Sequence, residues 1–191
     1  MALSRLKALV PLLLALHLVG GSPAPVLAAA PHWEVLPGRV ETSKASPAKL
    51  EQDMLALVNR ERRSRGLVAL RWDDRLAAMG RAHSRDILAR NYFAHEDPEG
   101  RSAADRAAQA GVSYTILGEN LAFAPNLRIA HQGLMKSPGH RANILRPQFR
   151  RLGIGIVKVP AGSDFYPNGP ERQLPVGSYG GYLVVTQVFA K

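Results

Sequence analysis

The sequence contains no cysteine in its 191 residues. This absence excludes a disulfide framework, a thiol nucleophile, an iron–sulfur cluster and any zinc site with cysteine ligands. Aromatic residues are also few, at 6%. After the N-terminal region, no apolar run is long enough to span a bilayer. The fold must therefore be held together by packing and hydrogen bonding alone.

What the chain does contain is an ordinary globular composition with an excess of positive charge. Apolar residues make up 46% and charged residues 21%, values that argue against disorder and against a polytopic membrane protein. The 25 Lys and Arg outnumber the 15 Asp and Glu, which gives a formal charge of +10. This charge suits an anionic partner such as an acidic lipid surface, an anionic cell-wall polymer or nucleic acid.

The N-terminal residues 1–28 have the features of a secretory signal peptide. A basic start is followed by an apolar run over residues 8–19, too short to span a bilayer comfortably, and then by small residues. We expect cleavage after Ala28 or Ala29, with an uncleaved membrane anchor as the alternative. The processed protein is then secreted, either to a periplasm or to the extracellular space, and nucleic acid becomes an unfavourable partner.

One folded domain is predicted over residues 47–191, preceded by a linker or flexible arm over residues 29–46. The arm mixes proline, glycine, serine and charge without periodicity. Ser46 followed by Pro47 is typical of a helix start, and apolar residues then recur at helical spacing up to Gly66.

Later segments predict more helices and then strands. The further predicted helices run from Asp73 or Asp74 to about Asn91, from Ser102 to Gly111, from Asn126 to Lys136 and from Ser137 to Leu145. Residues 116–123 are predicted as strand-like or irregular, and residues 152–156 and 182–189 as strands joined by a long hairpin connection. Helices that come first and strands that come last indicate an α+β fold.

Candidate functional residues are histidines and one carboxylate. The histidines after the signal peptide are His32, His83, His95, His131 and His140, and none lies in a short zinc motif. His95 lies in a loop bounded by proline and glycine, and His140 lies at a helix start. Glu119 interrupts an apolar stretch, where an unpaired carboxylate would be costly to bury. Two imidazoles and a carboxylate suit zinc, while separate structural roles are the alternative.

Several motifs occur in the order seen in the CAP superfamily of cysteine-rich secretory, antigen 5 and pathogenesis-related proteins, also called SCP-like. The sequence resembles the bacterial secreted branch most. The motifs are Ala82-His-Ser-Arg-Asp-Ile87, Tyr92-Phe-Ala-His95, Gly118-Glu-Asn-Leu121, Lys136-Ser-Pro-Gly-His-Arg-Ala-Asn-Ile-Leu145, the Leu-Gly-Ile-Gly within residues 149–155, and Thr186-Gln-Val-Phe189.

The resemblance implies a three-layer α-β-α sandwich with a central antiparallel sheet and an open cleft. It assigns cleft positions to His95, Glu119 and His140, which would hold zinc or another divalent cation. A second glutamate of the family pattern is replaced here by Lys136 or Ser137. The loss of that carboxylate weakens cation affinity and removes a potential general base.

Two functions follow from these observations. The first is a non-enzymatic extracellular binding module with a cleft of histidine and glutamate side chains for a divalent cation, whose ligand would be a lipid or an anionic cell-wall polymer. The alternative is a zinc-dependent, peptidase-like hydrolase in which His95, Glu119 and His140 form the catalytic site. The resemblance itself implies a fold more firmly than an activity.

Overall fold

The computed structural model describes residues 44–167 and 179–191. The predicted signal peptide over residues 1–28 lies outside this range, as does all but the end of the predicted arm over residues 29–46. Within the described range, every helix is too short or too polar to cross a bilayer.

The described residues form five α-helices and four β-strands in an α+β order. Their bounds are α1 Pro47–Arg63, β1 Arg71–Trp72, α2 Asp74–Arg90, α3 Ala103–Gln109, β2 Leu117–Ala124, α4 Leu127–Lys136, α5 Pro138–Leu145, β3 Arg151–Lys158 and β4 Leu183–Ala190. Every predicted helix is present. The segment left open between strand and irregular structure is strand β2.

Polar caps explain where the helices begin. The Ser46 hydroxyl accepts a hydrogen bond from the backbone N–H of Lys49 at 3.2 Å. Asp73 and Asn126 cap α2 and α4 in the same way. Helix α5 differs from its prediction, because Ser137 forms no side-chain cap bond there. Pro138 in the first turn marks that helix start instead.

The sheet has the strand order β1-β3-β4-β2. Strands β3, β4 and β2 pair antiparallel, which confirms the expected central sheet. The two-residue strand β1 adds a parallel edge next to β3 and was not predicted. Two residues are too few to show the alternation of apolar and polar side chains, so only the pairing with β3 reveals this strand.

Alternating side chains of β4 divide the molecule into two helical layers. Leu183, Val185 and Phe189 join the core formed with α1, α4 and α5. Val184 and Val188 point the other way and join the clusters formed with α2 and α3. A strand that is covered on both faces has a mostly apolar sequence, and every residue of β4 is buried. The result is an α-β-α sandwich.

Helix α2 lies unusually close to strand β3. Gly153 and Gly155 face this helix, and a Cβ atom at either position would overlap backbone atoms of α2. Gly80 of α2 faces β3 in return, where a Cβ would lie 2.8 Å from the nitrogen of Gly155. These three glycines therefore allow the backbones of α2 and β3 to come into direct contact.

Buried Arg62 links α1 to the chain that follows α5. Its guanidinium donates hydrogen bonds to the carbonyl oxygens of Val68 at 2.9 Å, Ile144 at 2.8 Å and Arg146 at 3.0 Å. The side chain is fully buried. Each bond to a backbone oxygen offsets part of the cost of burying the cation.

Buried His131 packs α4 against α1. Neither of its ring nitrogens has a hydrogen-bond partner among the described residues, and Nε2 lies 3.6 Å from the Glu61 carboxylate. Burial lowers the pKa of His131, and the nearby Glu61 offsets only part of that shift. The imidazole is therefore neutral in the folded protein at neutral pH.

The Gly155→Ala substitution tests the close helix–strand contact. We expect it to lower the free energy of unfolding by about 3 kcal/mol or more, because only backbone could move away from the new methyl group. Gly139→Ala is the matched control, since no atom lies within 4 Å of its Cβ. Urea unfolding measures both. Equal effects of the two substitutions would contradict the proposed contact.

Acid sensitivity tests the environment of His131. Unfolding exposes the ring, whose ordinary pKa is about 6.5, so the unfolded chain takes up its proton first as the pH falls. Stability is therefore lost from about pH 6.5 downward, by at most about 1.4 kcal/mol per pH unit for this group. Urea midpoints at pH 7.5 and 5.5 should differ less in His131→Gln than in the wild type. Equal differences would show that His131 does not contribute.

Candidate functional site

The candidate site is centred on Glu119 of strand β2, the edge strand of the sheet. The Glu119 side chain faces the α2–α3 layer and is only 4% exposed. Its neighbour Asn120 faces the opposite layer, because side chains alternate along a strand. The edge position lets residues from both layers approach the carboxylate.

Both carboxylate oxygens of Glu119 are engaged. The Nδ1–H of His95 donates to Oε1 at 3.0 Å, and Nη2 of Arg106 donates to Oε2 at 2.8 Å. Arg106 also donates to the backbone oxygen of His95 at 3.1 Å. The three residues come from the loop after α2, from α3 and from β2, and together they form a closed polar cluster.

His83 of α2 lies next to this cluster, between Glu119 and the loop that carries His95. Its Nε2–H donates to the carbonyl oxygen of Ala94 at 3.1 Å and lies 3.9 Å from Oε1 of Glu119. Burial lowers the pKa of His83, although the Glu119 charge opposes this shift. His83 therefore holds the loop that carries His95 and is neutral near pH 7.

The charge state of Glu119 reflects two opposing effects. Burial by itself would raise the pKa of this carboxyl group, but the hydrogen bond from His95 and the charge of Arg106 lower it below its ordinary value. Glu119 is therefore ionised at neutral pH. An ionised carboxylate with a lowered pKa is a weak proton acceptor.

His140 reaches the site from α5, in the other helical layer. Its ring centroid lies 6.4 Å from that of His95. Burial, and then the charge of His95, lower the pKa of His140. Its Nδ1 atom is buried and has no hydrogen-bond partner among the described residues. This buried nitrogen is left for a ligand or a water molecule.

An asparagine pair fastens α5 to strand β2. The amide of Asn143 donates to the carbonyl oxygen of Glu119 at 3.1 Å and to Oδ1 of Asn120 at 2.9 Å. The amide of Asn120 donates to the backbone oxygen of His140 at 3.1 Å. These bonds explain why asparagine follows Glu119 and why another follows His140 by three residues.

The donor types of this site are those that suit zinc. Both Glu119 oxygens are occupied, and the described residues contain no group of three His, Asp or Glu side chains placed to hold a metal ion. A cation at Glu119 would compete with the charge of Arg106, which already neutralises the carboxylate. Zinc binding by His95, Glu119 and His140 stays a prediction.

An open pocket of about 420 Å³ lies between α2 and α3. Small apolar side chains and Met79 form part of its wall, and the pocket also reaches His83 and Arg106. Two of the residues around Glu119 therefore line this pocket as well. The pocket provides a concave surface directly beside the buried carboxylate.

Sequence reasoning missed Arg106. The capping box of Ser102 and Asp105 predicts the helix on which it lies, and that box is present. Nothing in the local pattern distinguishes Arg106 from the exposed arginines of the chain. Only the packing of α3 against β2 brings its guanidinium to Glu119.

Comparison with known proteins gives a consistent picture. The sequence model of the CAP (cysteine-rich secretory protein) family matches residues 55–185 of this chain. The uncharacterised protein YkwD of Bacillus subtilis is 35% identical over 124 residues, which cover 63% of this chain and 48% of YkwD. The membrane protein YlbC of the same organism is 34% identical, over 56% of this chain and 31% of YlbC. The chain thus matches half or less of these relatives' length.

Solved structures agree on the fold. An extracellular protein with an SCP domain from Bacillus anthracis is 29% identical, with a TM-score of 0.59 over 76% of this chain and 41% of that one. An outer surface protein of Borrelia burgdorferi has a TM-score of 0.62 at 14% identity, over 77% of this chain and 96% of the other. The second similarity concerns the fold alone.

The Glu119→Gln substitution tests the buried ion pair. We expect a loss of about 3 kcal/mol in the free energy of unfolding, because Arg106 is left buried without a counter-charge. Glu99→Gln is the control, since its ion pairs are exposed and should contribute less than about 1 kcal/mol. Chemical denaturation measures both variants. A loss at Glu119 no larger than that at Glu99 would show that burial adds nothing to this pair.

Proposed function

Since the chain belongs to the CAP family of cysteine-rich secretory proteins, we propose that it acts outside the cytoplasm as a binding domain rather than as an enzyme. Its ligand site in this proposal is the cleft around Glu119 together with the adjacent pocket. The predicted signal peptide supports the location. The Bacillus anthracis relative is itself described as extracellular.

The observation that carries this proposal is the double engagement of Glu119. A carboxylate that serves as a general base must be free to accept a proton, and its pKa is usually raised towards neutrality. Here His95 and Arg106 occupy both oxygens and the pKa is lowered. Glu119 therefore acts as an anchor that orients His95 and Arg106 towards a ligand.

The groups offered to a ligand are the two imidazoles and the pocket wall. The His95 side chain is 56% exposed, although its Nδ1 is held by Glu119. His140 contributes the buried Nδ1 atom that has no partner among the described residues. The pocket adds apolar surface beside His83 and Arg106. A rigid, largely preformed cleft of this kind suits binding, since little ordering is required.

A zinc-dependent hydrolase in the same cleft is the second candidate. The one observation in its favour is the unpartnered Nδ1 of His140, because an imidazole nitrogen without a partner is a suitable zinc ligand. It would require His95 to give up its bond to Glu119 and to share a cation with Glu119 and His140 beside the charge of Arg106. The binding proposal needs no such rearrangement.

Zinc titration by calorimetry on the processed chain separates the two candidates. We expect no micromolar binding by the wild type at neutral pH. The Arg106→Gln variant should bind zinc at least about tenfold more tightly than the wild type, because the substitution frees one oxygen of Glu119 and removes a competing cation. Adding His95→Ala and His140→Ala to Arg106→Gln should abolish that gain.

Arg101→Gln is the matched control. It removes the same charge from an arginine in the same region whose partner is Asp97, so zinc affinity should stay at the wild-type level. Micromolar binding by the wild type that disappears in His95→Ala/His140→Ala would overturn the metal-free cleft proposed here and establish the metal site that the hydrolase requires. No gain in Arg106→Gln, with the fold intact by circular dichroism, would refute the role given to Arg106.

A further inference from the structure

The charges of this protein are distributed unevenly along the chain. Residues 120–163 contain seven Lys or Arg and no Asp or Glu. Residues 73–119, by contrast, contain six Arg and eight Asp or Glu. The excess of positive charge in the folded domain is therefore concentrated in one continuous stretch, which covers α4, α5 and β3.

Five of these basic side chains form what we call the basic face. They are Arg128, Lys136, Arg141, Arg146 and Arg150. All five residues are exposed, and none forms an ion pair with another described residue. On α4 the exposed positions are 128, 132 and 136, one stripe at helical spacing, while its other residues turn inward to varying degrees.

Packing brings the helices that carry most of these residues together. Helices α4 and α5 contact each other directly, and both contact α1. The guanidinium of Arg62 in α1 binds the carbonyl oxygens of Ile144 and Arg146, which fixes the chain after α5 against the same layer. Arg146 is further held over the ring of Phe149, 5.5 Å from its centroid. The basic face is therefore carried on a rigid support.

In the opposite layer, four of the six arginines of residues 73–119 are paired with carboxylates. Arg81, Arg90, Arg101 and Arg106 each form an ion pair with a carboxylate. Charges paired in this way contribute little to a long-range field. The potential of the domain is thus positive mainly over the α4–α5 layer.

We propose that the basic face is an interaction surface for a linear, phosphate-bearing polyanion. Four of its five cations are arginine, whose planar guanidinium matches phosphate oxygens in a bidentate fashion. The surface goes beyond the ligand cleft of the proposed function and does not depend on it.

A membrane surface is the less favoured partner. Binding at a bilayer interface combines basic charge with apolar side chains that insert between the headgroups. The exposed large hydrophobic residues in the described range are Val68 and Tyr114, and neither lies on α4, α5 or the following loop. The basic face therefore offers charge without an inserting anchor.

Binding of long-chain inorganic polyphosphate tests the proposal. Its affinity for the processed chain should be measured by calorimetry at 50 and 200 mM NaCl. Polyion binding releases counterions, so the affinity should fall steeply with salt. The Arg128→Gln/Arg141→Gln variant should bind at least about tenfold more weakly at 50 mM and show a smaller salt slope.

The matched control is Arg75→Gln/Arg85→Gln. It also removes two exposed arginines without ion-pair partners in the described residues, but from α2 on the opposite layer. We expect its affinity to fall by less than about threefold. Equal losses in the two variants would show that only net charge matters and would overturn the proposal.

Two further arms make the outcome specific. The His95→Ala/His140→Ala variant should bind polyphosphate as the wild type does. Polyphosphate binding by the basic face can therefore be tested whether or not the cleft proposal is correct. Vesicles of phosphatidylglycerol should bind more weakly than polyphosphate at equal phosphate concentration. Vesicle binding without polyphosphate binding would assign the basic face to a membrane and overturn the proposal, as would no binding of either probe.

Discussion

The contact of helix α2 with strand β3 is the constraint on which the rest of the structure depends. Gly80, Gly153 and Gly155 let the two backbones meet, and the Ser84 hydroxyl donates to the carbonyl oxygen of Gly155 at 3.1 Å. The contact fixes the position of α2 on the sheet. His83 follows Gly80 by one turn, so it too is fixed, and its bond to the Ala94 oxygen positions the loop that carries His95.

Without cysteine, the cross-links between distant segments are polar and buried. Arg62 joins α1 to the chain after α5, and the Asn59 side chain exchanges two hydrogen bonds with the Leu70 backbone. Glu51 binds both Arg81 and the backbone N–H of Ile156. Such bonds are each worth about 1 kcal/mol net, but leaving any of these groups unpaired would cost more. These bonds therefore favour one particular arrangement of the helices and also stabilise it.

The two proposed functional surfaces differ in their electrostatics. At the cleft, Arg106 cancels the charge of Glu119 inside a buried cluster, so recognition there rests on imidazoles and shape. At the basic face, cations such as Arg141 are exposed without counter-charges among the described residues. A domain of this kind can hold an anionic polymer on one layer while its cleft is free for a different ligand. Helix α5 connects the two, since it carries both His140 and Arg141.

Much of this was predictable from local sequence, because caps and periodicity are short-range signals. Ser46, Asp73, Ser102 and Asn126 mark helix starts, and the long strands show apolar runs bounded by turns. The motif around Glu119 predicts a polar group in an apolar strand. The two-residue strand β1 was beyond such signals, because it depends on pairing with β3, which is distant in sequence.

The sequence by itself determined the composition of the site, namely the histidines, the carboxylate and the acid-free stretch over residues 120–163. Only the tertiary structure decided which groups meet. Arg106 lies 13 residues from Glu119 in the chain and reaches it because α3 packs on β2. The partner of a buried charge is chosen by packing, since the energy of a charge pair depends on distance and burial rather than on sequence spacing. That choice made Glu119 an anchor instead of a free carboxylate.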